Sequence, residues 1–151
     1  MATYQTTYSA APAIGLPGQI ANEEKCNKVS REVETAAGIK FGQPAQRGSA
    51  DHGVAILSTG IFLGIAVLNP AVPPNASNPD AYPQYFTGAF MTMGTMYVTA
   101  GGDVTDGAPV YWDSATGKYA EEATGLVEIP GAVFDTSGGE DDIVIIALNL
   151  R

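Results

Sequence analysis

The segment Phe90-Met-Thr-Met-Gly-Thr-Met-Tyr-Val-Thr-Ala100 carries the clearest fold signal of the chain. Aromatic, β-branched and other apolar side chains dominate it, which is typical of a β-strand. Gly94 stands in the middle, and a glycine inside a strand indicates a bulge or a bend. Met91, Met93 and Met96 favour a soft core over a binding face, because methionine fills irregular gaps. The segment therefore predicts a long, bent strand of the kind that closure of a β-barrel requires.

Further strand patterns lie on both sides of this segment. Ile61–Leu68 and Ile143–Leu150 are nearly continuous apolar runs, which indicates burial on both faces. Gly64 adds a second predicted bulge or bend. Many short strands separated by turn residues favour a sandwich or a barrel. Beside Phe90–Ala100, the predicted strands are Ile39–Phe41, Ala45–Arg47, Val54–Ser58, Ile61–Leu68, Pro109–Trp112, Val127–Ile129, Ala132–Phe134 and Ile143–Leu150.

Residues 22–37 fit two patterns. Val29 and Val33 recur with Cys26 and Ala36 at helical spacing. The same two valines line one face of a strand with Thr35. The pattern alone leaves helix and strand both open.

Residues 1–22 lack the period of a helix or a strand. Pro12, Pro17 and Gly18 would break either element. The segment fits a frayed terminus or an arm that becomes ordered on a partner surface. Spaced apolar anchors favour the arm: Tyr4, Tyr8, Ile14, Leu16 and Ile20.

Residues 69–86 form one long loop that contains five prolines. Long loops without regular structure are usually functional or mobile. Tyr82, Tyr85 and Phe86 end the loop and give it aromatic anchors. We therefore predict an all-β, single-domain β-barrel or jelly-roll-like sandwich, with an extended N-terminal arm (1–22), a body (23–151) and one long Pro-rich loop (69–86).

The charge is acidic and unevenly placed. The chain has 151 residues and a net charge of −9. Residues 1–47 carry five basic and four acidic side chains, whereas residues 48–151 carry two basic and twelve acidic ones. An acidic body disfavours nucleic acid and anionic membranes as partners. The longest apolar run is shorter than the roughly 20 residues of a membrane-spanning helix, and the polar, Tyr- and Thr-rich first residues lead us to expect no secretory signal.

Chemistry-bearing residues are sparse. His52 is the single histidine, and it follows Ser49 and Asp51 in a turn-like stretch. Neighbours so close in sequence rarely converge into a catalytic triad, although a hydrolase using Asp51 and His52 stays an alternative. With Cys26 as the single cysteine, one Cys and one His cannot build a structural zinc site. We therefore predict no catalytic residues, no metal and no cofactor.

Several short segments are each a weak motif, but their order and spacing along the chain are together fairly specific. They are Gly15–Asn22, Val29–Gly42, Pro44, Arg47–Asp51, Phe62–Ala66, Gly107–Trp112, Ile129–Phe134 and Thr136-Ser137. Together they resemble the phage structural cement protein family, which decorates the heads of some tailed phages. The resemblance covers nearly the whole chain, implies a β-barrel or jelly-roll-like body, and favours a strand over residues 29–36.

The resemblance implies a virion protein that is made in the host cytoplasm and is not an enzyme. It would bind the outer surface of an icosahedral capsid, bridge neighbouring major capsid protein subunits and associate with itself as a homodimer or trimer. We assign the capsid or subunit contacts to Tyr4, Tyr8, Ile14, Leu16, Ile20, Tyr82, Tyr85 and Phe86. The alternative is a surface-displayed β module that binds a host receptor or glycan, with Tyr111 or Trp112 as its aromatic platform.

Overall fold

The computed structural model describes residues 14–73 and 77–151. Within those ranges the chain forms strands and turns and no helix, which confirms the all-β, single-domain prediction. The strands are β1 (Asn27–Val33), β2 (Ile39–Lys40), β3 (Pro44–Arg47), β4 (Gly53–Ile56), β5 (Phe62–Ala66), β6 (Ala81–Tyr82), β7 (Thr87–Thr99), β8 (Pro109–Asp113), β9 (Lys118–Ala120), β10 (Val127–Phe134) and β11 (Ile143–Leu148).

Five strands close into a small barrel. β1 lies parallel to β4, and β4 lies antiparallel to β3. β3 then pairs with β5, β5 pairs with β7, and β7 returns to β1. Closure pairs most strand edges and so removes most sites of unwanted edge-to-edge association. We call this unit, β1, β3, β4, β5 and Thr87–Met93 of β7, the barrel.

β7 belongs to two sheets. Its second half, Gly94–Thr99, pairs with β11, and the sheet continues through β10 and β8 to β9. Tyr119 of β9 bridges back to Ala100 at the end of β7. We call this second unit, Gly94–Thr99 with β8 to β11, the acidic sheet, after the charge described below.

Gly94 marks the point where β7 changes sheet. Its φ is 141°, which side chains other than glycine rarely adopt. A Cβ at this position would lie 2.9 Å from the Met91 sulfur. The register between β1 and β7 shifts nearby, and the register between β3 and β5 shifts beside Gly64. Both glycine predictions are therefore confirmed.

Two hydrophobic cores hold the domain together. One fills the barrel and includes Val33, Val54 and Phe90. The other combines barrel residues such as Ile65 with the apolar side chains of the acidic sheet, Trp112 among them. Because the second core draws on both units, barrel and acidic sheet form one domain.

The element boundaries settle several open points. The strand alternative for residues 22–37 is confirmed by β1, and the helix alternative is wrong. The predicted strands Val127–Ile129 and Ala132–Phe134 form the single strand β10, which is irregular between Glu128 and Val133. β6 and β9 are missing from the sequence prediction, and β6 lies within the loop 69–86.

Candidate functional site

Residues 14–26, which we call the strap, lie along the second half of β7. The Gly18 amide donates to the Tyr97 carbonyl at 2.9 Å, and the Tyr97 amide donates to the Gln19 carbonyl at 3.0 Å. The Ala21 amide donates to the Thr95 carbonyl at 3.0 Å. The strap thus occupies the same edge of β7 that β1 occupies further along. The division of the chain into an arm (1–22) and a body (23–151) stays a prediction.

Two tight turns fix the start of the strap to the barrel. The turns span residues 16–19 and 40–43, and backbone hydrogen bonds of 3.0 and 3.1 Å close them. Gly18 and Gly42 stand at their corners with φ values of 86° and 82°. A Cβ on Gly18 would lie 2.7 Å from the Gly42 nitrogen. Glycine at both positions therefore allows the turns to pack backbone against backbone.

Arg151 fixes the other end of the strap. Its guanidinium donates two hydrogen bonds to the Glu24 carboxylate, at 2.9 and 3.0 Å. It also donates to the Asp135 carboxylate, at 3.2 Å, just beyond β10. The hydrogen bond from Arg151 holds the pKa of Glu24 below its usual value, and the two carboxylates raise the pKa of Arg151. The strap is therefore held at both ends.

Two predicted contact residues of the strap are strongly exposed. Ile14 is 67% exposed and Leu16 is 61% exposed, although both are large and apolar. Ile20 is partly buried against the core, so its side chain also stabilises the domain. Tyr4 and Tyr8 lie outside the described residues. Of the five predicted arm contacts, Ile14 and Leu16 thus present the apolar surface of the described strap.

A cavity of about 270 Å³ lies beside Leu16. Apolar side chains form much of its wall, and Lys40 and Asp80 add charges of opposite sign. It lies where the strap meets the barrel and the end of β7. Its apolar lining consists of Leu16, Pro17, Phe41 and Leu68.

The aromatic end of the loop 69–86 divides between core and surface. Tyr82 is fully buried, and its hydroxyl donates to the Val67 carbonyl at 2.7 Å. Burial raises the pKa of Tyr82, so the hydroxyl remains a donor. Phe86 stacks on the Tyr82 ring with centroids 5.6 Å apart. Tyr85 is 73% exposed with a positive φ of 66°, so it carries the exposed surface of this trio.

Charge separates the two units of the fold. Residues 23–99, which contain the barrel, carry five basic and six acidic side chains. Residues 100–151, which contain β8 to β11, carry two basic and ten acidic ones. One of those bases, Lys118, pairs with Asp141 at 2.5 Å. The barrel is nearly neutral, and most of the net negative charge belongs to the acidic sheet and its loops.

The turn that contains Asp51 and His52 is held by hydrogen bonds from its backbone to the Glu34 carboxylate. The Glu34 carboxylate accepts hydrogen bonds from the Ala50 amide at 2.9 Å and the Ser49 amide at 2.8 Å. These two bonds hold the pKa of Glu34 below its usual value. Asp51 and His52 are exposed at the turn. Glu34 therefore fixes the connection between β3 and β4.

Other chemistry has little support in the described chain. Within residues 14–73 and 77–151, no three His, Cys, Asp or Glu side chains gather as metal ligands. The same residues include no helix that is long and apolar enough to cross a membrane. Trp112 is 1% exposed, and its indole N–H has no partner among the described residues. It is a core residue and offers no platform to a glycan.

Taken together, the described residues form a β body with a strap that is held at both ends and leaves Ile14 and Leu16 exposed. Residues 4–149 match the family described as structural cement protein (E217 gp24/Pam3 gp6). The chain belongs to this family of phage structural proteins. It is accordingly a virion protein that associates with capsid proteins and has a capsid-stabilising, structural role.

The first of two similar solved structures supports the fold. A chain of the capsid of Myoviridae Phage XM1 is 20% identical, with a TM-score of 0.72, and the match covers 97% of this chain and 98% of that one. The N base of head fiber gp8.5 of bacteriophage phi29 is 10% identical, with a TM-score of 0.48, over 82% of this chain and 94% of that one. No curated protein matches the sequence significantly.

Proposed function

We propose that the protein binds the outer surface of an icosahedral phage capsid and bridges neighbouring major capsid protein subunits. Family membership supports the association with the capsid. The observation that carries the finer proposal is the fixed strap with its two exposed anchors, Ile14 and Leu16. Two large apolar side chains that stay exposed on one short ordered segment, beside a largely apolar cavity, favour a protein-binding surface more than a single exposed side chain does.

The strap suits this role because it is already ordered. Its backbone is bonded to β7, and Arg151 ties its far end to the acidic sheet. A preorganised segment loses little conformational entropy on binding, so more of the contact energy remains as affinity. A shell presents many equivalent sites, and a clamp that spans two subunits gains from both contacts at once. Tyr85 is the second proposed contact.

We also propose that the protein acts as a homodimer or a trimer. A symmetric oligomer carries one copy of the strap per subunit, and these copies would reach different capsid subunits across a seam. Sedimentation equilibrium of the purified protein tests this proposal. A protein that stays monomeric both in solution and on heads would contradict it.

The strap contact is tested by the double variant Ile14→Ser/Leu16→Ser. We expect its co-sedimentation with heads assembled without this protein to weaken about tenfold or more, because burial of each large apolar side chain is worth roughly 1.5–3 kcal/mol. Ile61→Ser is the matched control, since Ile61 is 72% exposed on the turn before β5. Equal losses for both, or no loss for the double variant, would remove the strap from the proposal.

Bridging and the outer location are tested by electron cryomicroscopy of decorated heads. We expect density for the protein outside the shell and across subunit boundaries. Decorated heads should also withstand a higher temperature than undecorated heads. Density inside the shell, or confined to the centre of one capsid subunit, would contradict the proposal.

A further inference from the structure

We propose that the outer edge of β1 is a second docking site, which accepts an extended acidic segment of the shell protein as an added β-strand. This inference rests on the proposed function, since it names a further contact with the same partner. It follows from an incompletely paired strand edge of the barrel, as the described residues show it, and from the charge around that edge.

Among residues 14–73 and 77–151, β1 finds strand partners along its length on one edge only. β7 covers β1 from Asn27 to Glu32 on one side. On the other side, the register with β4 consists of Glu32 with Gly53 and Val33 with Val54. The first part of β1 therefore extends beyond β4 and keeps an open edge.

Hydrogen-bond directions identify the groups on that edge. The amides of Glu32 and Glu34 donate toward β4, to the carbonyls of His52 and Val54. Successive residues of a strand direct their amide and carbonyl groups to alternate sides. Ser30 therefore directs its N–H and C=O to the β4 side, beyond the point where β4 begins. Lys28 follows the same alternation. Backbone groups without a partner strand are the template that β-strand addition uses.

The charge around the open edge selects the partner. Residues 25–31 contain three basic side chains and no acidic one, in a chain with seven basic residues in all. These are Lys25, Lys28 and Arg31. A second copy of the same edge would bring like charges together, and nucleic acid is disfavoured by the net charge of −9. An extended peptide with acidic side chains satisfies both the backbone groups and the charges.

In the free protein, the Arg31 side chain covers part of the open edge of β1. Its guanidinium donates to the Ser30 carbonyl at 2.9 Å. Basic side chains on an open edge prevent unspecific strand pairing. A carboxylate of the incoming segment would draw the guanidinium away, since hydrogen bonds to charged acceptors are stronger than those to a carbonyl. The Ser30 carbonyl would then become available to the added strand.

The test compares Ser30→Pro with Ser30→Thr. Proline removes the outward N–H and is tolerated at edge positions whose N–H faces solvent, whereas threonine keeps the N–H. We expect Ser30→Pro to bind undecorated heads about tenfold more weakly at an unchanged melting temperature, and Ser30→Thr to bind like wild type. Lys28→Glu, which leaves the backbone intact, should also weaken binding.

Amide hydrogen exchange of the wild-type protein gives an independent readout. The Lys28 and Ser30 amides should exchange freely in solution and become protected on heads, which decides the matter even if Ser30→Pro fails to fold. The inference is overturned if the wild-type protein binds heads while these amides stay unprotected, and if Ser30→Pro and Lys28→Glu bind as well as wild type. The proposed function would then remain, and the basic side chains of the edge would serve only to prevent aggregation. If the wild-type protein fails to bind heads, the proposed function falls as well.

Discussion

The barrel and the acidic sheet share one strand but differ in charge and in the edges they expose. The barrel is nearly neutral, and within the described part of the chain the first part of β1 has no partner strand on one edge. The acidic sheet and its loops carry ten acidic side chains in residues 100–151. Its outermost strand, β9, forms a bridge from Tyr119 to Ala100, next to the end of β7. Of the proposed contacts, Tyr85 and the open edge of β1 lie on the barrel side, whereas the strap lies along Gly94–Thr99, where the two units meet. Charge that favours solubility and repels unspecific partners gathers on the acidic sheet.

The contrast between the two units shows that one continuous strand, β7, can belong to both a nearly neutral barrel and an acidic sheet. β7 joins both units, and Tyr119 of β9 donates a hydrogen bond of 2.6 Å to the Gly42 carbonyl beside the barrel. Because the units are joined by backbone and by core, a load on the contact side would pass to the acidic sheet. If the two units form one domain, they should unfold together, and each contact between them should contribute to the free energy of unfolding.

Phe90→Ala should produce the largest effect. Phe90 is fully buried in the barrel core, and truncation of a buried phenylalanine costs about 3–5 kcal/mol. Trp112, the single tryptophan, lies in the acidic sheet. Its fluorescence should report a transition at lower denaturant that coincides with the circular-dichroism transition. Phe134 is buried in the acidic sheet, and Phe134→Ala should likewise shift the fluorescence and circular-dichroism transitions together. A tryptophan transition that stays in place for Phe90→Ala would show two independent units.

Gly94→Ala should have the next largest effect, because Gly94 carries the change of sheet. A side chain at its φ of 141° is strained, and strain of this kind costs about 1–3 kcal/mol. Chemical denaturation measures the loss. Gly102→Ala is the control, because a Cβ there meets nothing within 4 Å; its change should stay within about 0.5 kcal/mol. Equal stability of the two variants would contradict the assigned role of Gly94.

Tyr119→Phe should weaken the side-chain joint between the units. The variant removes the hydroxyl that donates to Gly42, and burial raises the pKa of that hydroxyl so that it stays a donor. The expected loss of unfolding free energy is about 1 kcal/mol. Tyr111→Phe, on the neighbouring strand and partly exposed, is the control. A Tyr119→Phe protein as stable as wild type would mean that the Gly42 carbonyl finds another donor.

Arg151→Met should have the smallest effect, and that effect should depend on pH. The Glu24 pKa is lowered in the folded protein, chiefly by Arg151. The stabilisation is therefore present above the usual glutamate value of 4.5 and is lost as the pH falls through the folded value. The melting temperatures of wild type and variant should differ near neutral pH and converge in acid. A difference that is constant with pH would contradict this linkage. Arg47→Met, at an exposed arginine of β3, is the control.

Much of the fold follows from local patterns. β5, β7 and β11 are rich in β-branched and aromatic or other apolar residues, and the sequence predicts them closely. Gly64 and Gly94 mark the irregular points because glycine weakens a regular strand. β6 and β9 escape prediction because two or three residues carry no period. At the candidate site, the sequence predicts Ile14, Leu16 and Tyr85 as contacts, and this role stays a prediction. The sequence does not distinguish these three exposed side chains from Tyr82, which the structure buries.

The sequence by itself determined the strand content, the bends, the sparse catalytic chemistry and the acidic second half, because these depend on residue type and on near neighbours. Tertiary structure alone decided that β1 runs parallel to β4, that the strap follows β7, and that Arg151 reaches Glu24. Those contacts join residues far apart in the chain, and many pairings would satisfy the same local pattern. Only closure of the barrel and packing of the two cores select one of them.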